Sequence, residues 1–227
     1  MKCAILQPSY LPWRGYFDLI QRVDTFVFYD SVQYDKHGWR NRNRIKTANG
    51  PVWLTVPVVS KGNVAEGLLI KDVPIQNEKP WARKQLGTIR QAYGRAPFFD
   101  RYMPLVEEFL AEPPDLLAEL TIPTTVALAK ELGIERTFLR SSEIGIDGER
   151  TDRLIAILQK LGATRYISGP SARSYLEEDR LTEVGISIEW MEYDYPEYEQ
   201  LHPPYEQSVS ILDPLFMKGP EAAGLIP

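Results

Sequence analysis

The opening of the chain constrains its fold more than any other stretch. Lys2 to Leu6 is a short apolar run closed by Gln7-Pro8, and proline cannot donate into a sheet ladder, so the run reads as a buried strand. From Tyr16 to Val23, the residues Phe17, Ile20 and Val23 recur at helical spacing, with Asp18, Gln21 and Arg22 between them. Asp24 to Asp30 is then β-branched and aromatic, a second strand. Strand, turn, helix and strand in so little sequence point to parallel strands joined by a helical crossover.

The rest of the chain extends this pattern. A third strand is expected at Trp53 to Val59, after the Asn49-Gly50-Pro51 turn. Residues 80–132 read as helices. Pro80 suits a first helical position, with Ala82, Leu86, Ile89 and Tyr93 following at periods of three and four. Pro97 opens a second helix carrying Tyr102, Leu105, Val106 and Phe109, and a third runs from about Asp115 to Leu132 with an interruption near Pro123. Strands are expected at Thr137 to Arg140, Arg165 to Ser168 and Ile186 to Trp190. An amphipathic helix capped by Thr151 ends at Gly162, a further helical stretch covers Ser171 to Glu178, and a closing helix covers Val209 to Met217. The expected fold is α/β: a Rossmann-like, doubly wound, mainly parallel sheet in one domain over residues 1–227, with a helical insertion or cover over about 80–132.

Composition narrows the class. At 44% hydrophobic and 25% charged the chain is globular rather than disordered or fibrous. One cysteine, Cys3, rules out an internal disulfide and suits a reducing compartment. There is no apolar run of the roughly 18 residues a membrane span needs, and the apolar start is too short for a signal peptide, so a cytoplasmic protein without membrane insertion is expected. With only two histidines, His37 and His202, a three-histidine metal site is impossible. Walker A, G-x-S-x-G and G-x-G-x-x-G sequences are absent.

Charge is unevenly distributed. The net charge is −5, from 26 Lys and Arg against 31 Asp and Glu. Lys36, Arg40, Arg42, Arg44 and Lys46, with His37 among them, form a segment without an acid. Without those five, 21 cations face 31 acids, so the segment reads as a local anion site and not as part of a nucleic-acid surface. Glu177 to Glu199 is its acidic counterpart, and a solvated loop whose arginines pair with that stretch is the plain alternative.

Ligands of open α/β sheets bind beyond the carboxyl ends of the strands, and three segments are expected there. Gln7 to Tyr16 joins polar and aromatic side chains to two prolines, with Gly15 expected to let a ligand approach the following helix start. Asp30 to Lys46 carries the basic cluster. Arg40, Arg42 and Arg44 have the fork geometry for phosphate, Trp39 has a face for a base or sugar ring, and Asp30 and Asp35 are acids for proton transfer or metal binding. Ser168 to Ser174, with Ser168, Ser171 and Arg173, has the composition of an anion-cradling loop. Cys3 reads as core and His202 as a loop residue.

At these residues the chain resembles the WbqC-like family. The resemblance rests on Ile5-Leu-Gln-Pro-Ser-Tyr-Leu-Pro-Trp-Arg-Gly-Tyr-Phe17, Asp30-Ser-Val-Gln-Tyr34, Trp39-Arg-Asn-Arg-Asn-Arg-Ile-Lys46 and Trp53-Leu-Thr-Val-Pro-Val58. It continues in Tyr166-Ile-Ser-Gly-Pro-Ser171 and Ser208-Val-Ser-Ile-Leu-Asp213, and so covers nearly the whole chain. It implies a place in bacterial surface-polysaccharide (O-antigen) biosynthesis without defining a reaction. Gln7 to Tyr16 is also distantly similar to the first signature of the HIGH-type nucleotidyltransferases, with pantothenate synthetase spacing. Trp13 and Tyr16 stand at its two histidine positions, Gly15 is retained, and Gln33 falls near a substrate-binding glutamine. Those imidazoles stabilise the transferring phosphate, so this likeness carries the fold further than the reaction.

Together these readings give an enzyme, a transferase or ATP-dependent amide ligase, acting on an anionic, nucleotide-linked sugar. Acyl or aminoacyl transfer to an amino sugar is its specific form. Asp30 and His37 are the proton-transfer candidates, and Gln7, Tyr10, Tyr16, Gln33, Arg40, Asn41, Arg42, Asn43, Arg44, Lys46, Ser168, Ser171 and Arg173 the substrate- and phosphate-binding ones. A nucleoside triphosphate with magnesium is the candidate cofactor. A non-catalytic nucleotide-sugar binder or scaffold of the same pathway is the alternative, with RNA binding through Trp39 and the arginines a further one.

Overall fold

The computed structural model describes residues 1–59 and 67–226. In chain order it contains β1 (Lys2–Leu6), α1 (Arg14–Gln21), β2 (Thr25–Phe28), β3 (Arg42–Thr47) and β4 (Gly50–Thr55). Then come α2 (Trp81–Tyr93), α3 (Phe99–Ala111), α4 (Leu117–Glu131), β5 (Thr137–Arg140), α5 (Ser141–Ile144) and α6 (Arg150–Lys160). The chain closes with β6 (Arg165–Ser168), α7 (Glu178–Glu183), β7 (Ser187–Trp190) and α8 (Leu212–Lys218).

Five strands make one sheet in the order β5-β2-β1-β6-β7, and every neighbouring pair is parallel. The alternation of side chains along β1 and β2 feeds two cores. Ala4, Phe26 and Phe28 face α1, whose Phe17 and Ile20 are fully buried, while Cys3, Ile5 and Val27 face Leu154, Ile155 and Leu158 of α6. A fully buried phenylalanine such as Phe17 contributes roughly 2–3 kcal/mol of transfer free energy. Helices on both faces of a parallel sheet make this a Rossmann-like, doubly wound α/β fold. The strand order reverses between β1 and β6, where crossovers leave on opposite sides and the loops diverge to leave a crevice.

Two expectations change. The third strand does not join the parallel sheet: β3 and β4 form a separate antiparallel hairpin, pairing Arg44 with Trp53 and Ile45 with Val52. The last residues of the segment expected as a connection, Arg42 to Lys46, are therefore strand. Its Arg-Asn-Arg-Asn-Arg-Ile-Lys run has the two-residue period of a ribbon with Asn43 and Ile45 buried on one face. Second, α4 runs through Pro123 without a break. Its Thr121, Thr124 and Thr125 hydroxyls bond back to carbonyls one turn earlier, and its buried face keeps the helix packed. The smaller differences lie at helix ends: Thr151 sits inside α6 and not at its cap, and Ser171 lies in a 3-10 turn, Pro170–Ser174.

Candidate functional site

A cavity of about 300 Å³ opens at the carboxyl end of β1, beside the switch point. Leu6, Ser9, Pro12, Trp13 and Tyr16 line it from the β1–α1 connection, Trp39, Arg40 and Asn43 from the approach to the hairpin, and Tyr193 and Ser208 from the segment after β7. A larger open groove of about 540 Å³, with Asp24, Lys130 and Arg136, lies at the amino ends of β2 and β5, the opposite edge of the sheet.

The hairpin holds the β1–α1 connection in shape. Tyr10 N–H donates to the Trp39 carbonyl at 3.2 Å, and Asn43 Nδ2 donates to the carbonyls of Leu11 at 2.7 Å and Tyr10 at 3.2 Å. Leu11 adopts φ 42°, a left-handed conformation costly for a branched side chain, and the asparagine clamp falls on that residue. Arg40 donates from one terminal nitrogen to the carbonyls of Gln7 at 3.0 Å and Pro8 at 3.2 Å. Tyr16 donates its hydroxyl to the same Gln7 carbonyl at 3.0 Å.

Arg40 is the electrostatic centre of the cavity. Its Nε is buried without a hydrogen-bond partner, and among the described residues no carboxylate lies within ion-pair distance of its guanidinium. Carbonyl dipoles satisfy part of its N–H complement and none of its charge. Burial accordingly holds the Arg40 pKa below the ordinary arginine range, and the same burial pushes the Tyr16 phenol up. A guanidinium that has no ion-pair partner within contact distance among the described residues, and feels the Asp35 carboxylate only from further off, has the charge and donors to take a phosphate or carboxylate in the cavity beside it.

A tyrosine-rich strap closes the far side. It leaves β7, where Met191 N–H donates to the Ser168 carbonyl, and returns with Ser210 N–H on Arg44 O and Ile211 N–H on Pro12 O, both at 2.8 Å. Arg14, almost fully buried, anchors it by donating to the Pro196 carbonyl at 2.9 Å and to the Tyr205 hydroxyl, with its guanidinium 4.6 Å from the Tyr195 ring centroid. Trp13 packs edge-on against Tyr193 at 5.0 Å. Gly15 serves this packing and not ligand approach, because a Cβ there would fall 2.3 Å from the Trp13 ring.

The sequence candidates separate into groups. Tyr16, Arg40 and Asn43 reach the cavity. Gln7 contributes its carbonyl, as above. Tyr10 points away and donates to Gln85 Oε1 at 2.7 Å, and Asn41 Nδ2 bonds the Val56 carbonyl at 2.8 Å. Arg42 and Arg44 lie on the outer face of the hairpin: Arg42 donates to the His37 carbonyl at 2.7 Å and Arg44 to the Ser208 carbonyl at 2.9 Å. Lys46 is buried, its ammonium donating to the Pro204 carbonyl. Gln33 is exposed and bridges to Leu69. Ser168 donates weakly to the Tyr166 hydroxyl at 3.4 Å, while Ser171 and Arg173 are exposed, Arg173 lying 5.1 Å from the Trp190 ring.

Neither proton-transfer candidate reaches the cavity. Asp30 is fully buried, and both its oxygens are occupied: Oδ1 accepts from Ser141 Oγ at 3.0 Å and Ser142 N–H at 2.9 Å, and Oδ2 from Ser142 Oγ at 2.7 Å. It ties β2 to the β5–α5 turn. His37 is exposed on the loop before Trp39, and His202 bonds the Ala92 carbonyl at 3.0 Å. Asp35, the other acid of the segment, is exposed and accepts from His37 N–H at 3.0 Å. Among the described residues no group of His, Cys, Asp and Glu is placed to hold a metal ion. The alternative pairing of the basic segment's arginines with Glu177 to Glu199 does not form among the described residues. The ion pair found is Arg44 with Glu206 at 3.6 Å.

Sequence reasoning missed Arg14, Tyr193 and Ser208. Arg14 stood in the motif but not among the candidates, and the strap presented itself as an acidic stretch in which the tyrosines were the informative residues.

A family model for the WbqC-like protein family matches residues 7–224. The uncharacterized protein Rv1507c of Mycobacterium tuberculosis is 41% identical over 223 residues, covering 97% of this chain and 95% of the relative. No solved structure gives a significant match.

Proposed function

Starting from a chain that belongs to the WbqC-like protein family, we propose that it binds an anionic, nucleotide-linked sugar at the carboxyl-edge cavity and takes part in acyl or aminoacyl transfer to an amino sugar in surface-polysaccharide or related biosynthesis. The observation that carries the reading is Arg40: a buried guanidinium bonded to carbonyls alone and facing a cavity at the switch point. In this reading Arg40 neutralises a phosphate of the substrate, Ser9 and Asn43 line its path, and Trp13 and Tyr193 wall the cavity against water.

The chemistry assigned to these residues is binding and orientation. Among the lining residues the ionisable groups are Tyr16, Arg40 and Tyr193, and burial raises both phenols above their ordinary value. None is poised to exchange a proton near neutral pH. An amide-forming transfer at this site would have the neutral amine of the sugar attack an acyl group activated as an acyl phosphate or acyl adenylate. The acyl–oxygen bond breaks and phosphate or AMP is released, with the amine proton passing to solvent and Arg40 holding the phosphate of the sugar nucleotide in place. A nucleoside triphosphate with magnesium is the co-reactant such a ligase would draw on.

That same absence of a proton-transfer group favours a second reading, a non-catalytic nucleotide-sugar binder within a biosynthetic complex. One experiment separates the two: incubation of the protein with a nucleotide-linked amino sugar, ATP, magnesium and an amino- or carboxylic-acid panel, read by mass spectrometry. New amide product that disappears in Arg40→Gln supports transfer. Tight nucleotide-sugar binding without product across the panel leaves the binder.

A further inference from the structure

Outside the cavity mouth the hairpin carries an arrangement that its folding does not require. Trp39 and Trp53 are 41% and 48% exposed, and their ring centroids lie 5.1 Å apart at an interplanar angle of 42°. Trp53 is directly opposite Arg44 in the ribbon, so the two share its outer face with Arg42. The Arg42 guanidinium stands 4.7 Å from the Trp53 centroid, and that of Arg44 stands 5.8 Å from both indoles. Large exposed aromatics cost solubility and invite association, and here two of them are held together by cations on a chain that is otherwise acidic. Trp39 also lines the cavity, and its neighbour Arg40 is the buried cation within it.

The geometry points to the Trp39–Trp53 face as the stacking subsite for the nucleobase of a small nucleotide whose phosphate lies at Arg40; this rests on the reading of the cavity given above. Three observations support it. At about 300 Å³ the cavity is at the small end for a drug-sized ligand, so a nucleotide-linked substrate must continue beyond the mouth. Trp39 lines the cavity from the hairpin side and is 41% exposed, so it reaches from the cavity to the surface. Arg42 lies over the Trp53 ring, so a flat, delocalised ring would stack on the exposed indole surface left beside it or on the guanidinium plane, contacts that a puckered pyranose makes less well. Arg42 and Arg44 then lie within the field of the phosphates that join base to sugar.

The test uses uridine, uridine monophosphate, glucose 1-phosphate and a ten-residue oligouridylate, titrated into the wild-type protein and into Trp53→Ala, Trp53→Phe and Arg40→Gln by calorimetry, with folding checked by circular dichroism. The expected result is that uridine monophosphate binds wild type at least tenfold more tightly than glucose 1-phosphate. That gap closes in Trp53→Ala and returns in Trp53→Phe, which keeps a ring. Equal binding of the two phosphates by wild type, or a gap that survives Trp53→Ala, overturns the subsite. Uridine, which has no phosphate, separates the two readings. If it binds in a Trp53-dependent way while Arg40→Gln changes nothing for the monophosphate, the stacking face stands and the Arg40 reading fails. A steeply salt-dependent preference for the oligouridylate over the monophosphate would replace the small nucleotide by single-stranded nucleic acid and overturn the proposal.

Discussion

The indole of Trp13 occupies the space a side chain at Gly15 would need: a Cβ built on Gly15 lies 2.3 Å from Trp13 Cζ2 and 2.7 Å from its Cη2. Glycine inside a helix ordinarily costs about 1 kcal/mol relative to alanine, so Gly15→Ala in α1 would stabilise if propensity decided. Here overpacking decides, because the displaced indole is wedged against Tyr193 and Tyr195. Gly15→Ala is expected to destabilise by about 1–3 kcal/mol and to weaken ligand binding at the cavity. Thermal denaturation checks the sign, and a raised Tm would refute the packing role.

Asp30 gives the clearest separation of stability from binding. Its carboxylate receives three donors from the β5–α5 turn. Asp30→Asn replaces one acceptor oxygen with a donor facing donors, at a cost of about 1–3 kcal/mol. The expected outcome is a lower Tm with the affinity for nucleotide ligands unchanged within twofold. Lost affinity in a variant that is still folded would return Asp30 to the site.

Asp213 predicts the direction of a pH effect. Burial raises its pKa despite hydrogen bonds from Tyr93 at 2.7 Å, Tyr198 at 2.6 Å and Gln200 at 3.1 Å. A carboxyl whose folded pKa lies above its unfolded value binds protons more tightly when folded, so its contribution to stability is full below the unfolded pKa, near 3.8, and declines as pH rises through the folded value. Asp213→Asn removes that contribution. Subtracting the variant's Tm–pH curve from that of wild type is expected to leave a difference that falls with pH above about 4. A difference that rises with pH would contradict the assignment.

Burial alone pushes the Cys3 thiol up to about 12. At pH 8 it is therefore expected to resist alkylation by iodoacetamide in the native protein and to react once guanidinium unfolds it. Labelling of native protein, followed by mass spectrometry, would show otherwise.

The parallel sheet was legible because β1, α1 and β2 obey the simplest periodicities and because apolar faces on both sides leave one arrangement open. The hairpin was not, although Arg42 to Lys46 alternates with the period of a strand. Charge on every second residue looks like a loop when the partner strand and the overlying strap are unseen, and Asn43, an inward residue there, is polar because it serves the carbonyls of Tyr10 and Leu11. The site was legible in outline: the β1–α1 connection and Arg40 converge as expected. The placement of the proton-transfer candidates was not, because an acid such as Asp30 looks the same in sequence whether it faces a cavity or two serines. Nor was the third wall, which comes from Tyr193 and Ser208, distant in the chain from everything else in the cavity.

The most direct test of the account is the affinity of wild type and Arg40→Gln for a nucleotide-sugar panel, measured by calorimetry with inorganic pyrophosphate alongside. Glutamine ends where the Arg40 Nε lies, short of the terminal nitrogen that bonds the Gln7 and Pro8 carbonyls, so the variant removes charge and donor together and its fold is checked by circular dichroism alongside. The account predicts that wild type binds at least one nucleotide-sugar and that Arg40→Gln loses about thirtyfold or more, roughly 2 kcal/mol, as expected for a buried charge–phosphate contact. Equal affinity in the two proteins, or no binding by wild type across the panel, would contradict it.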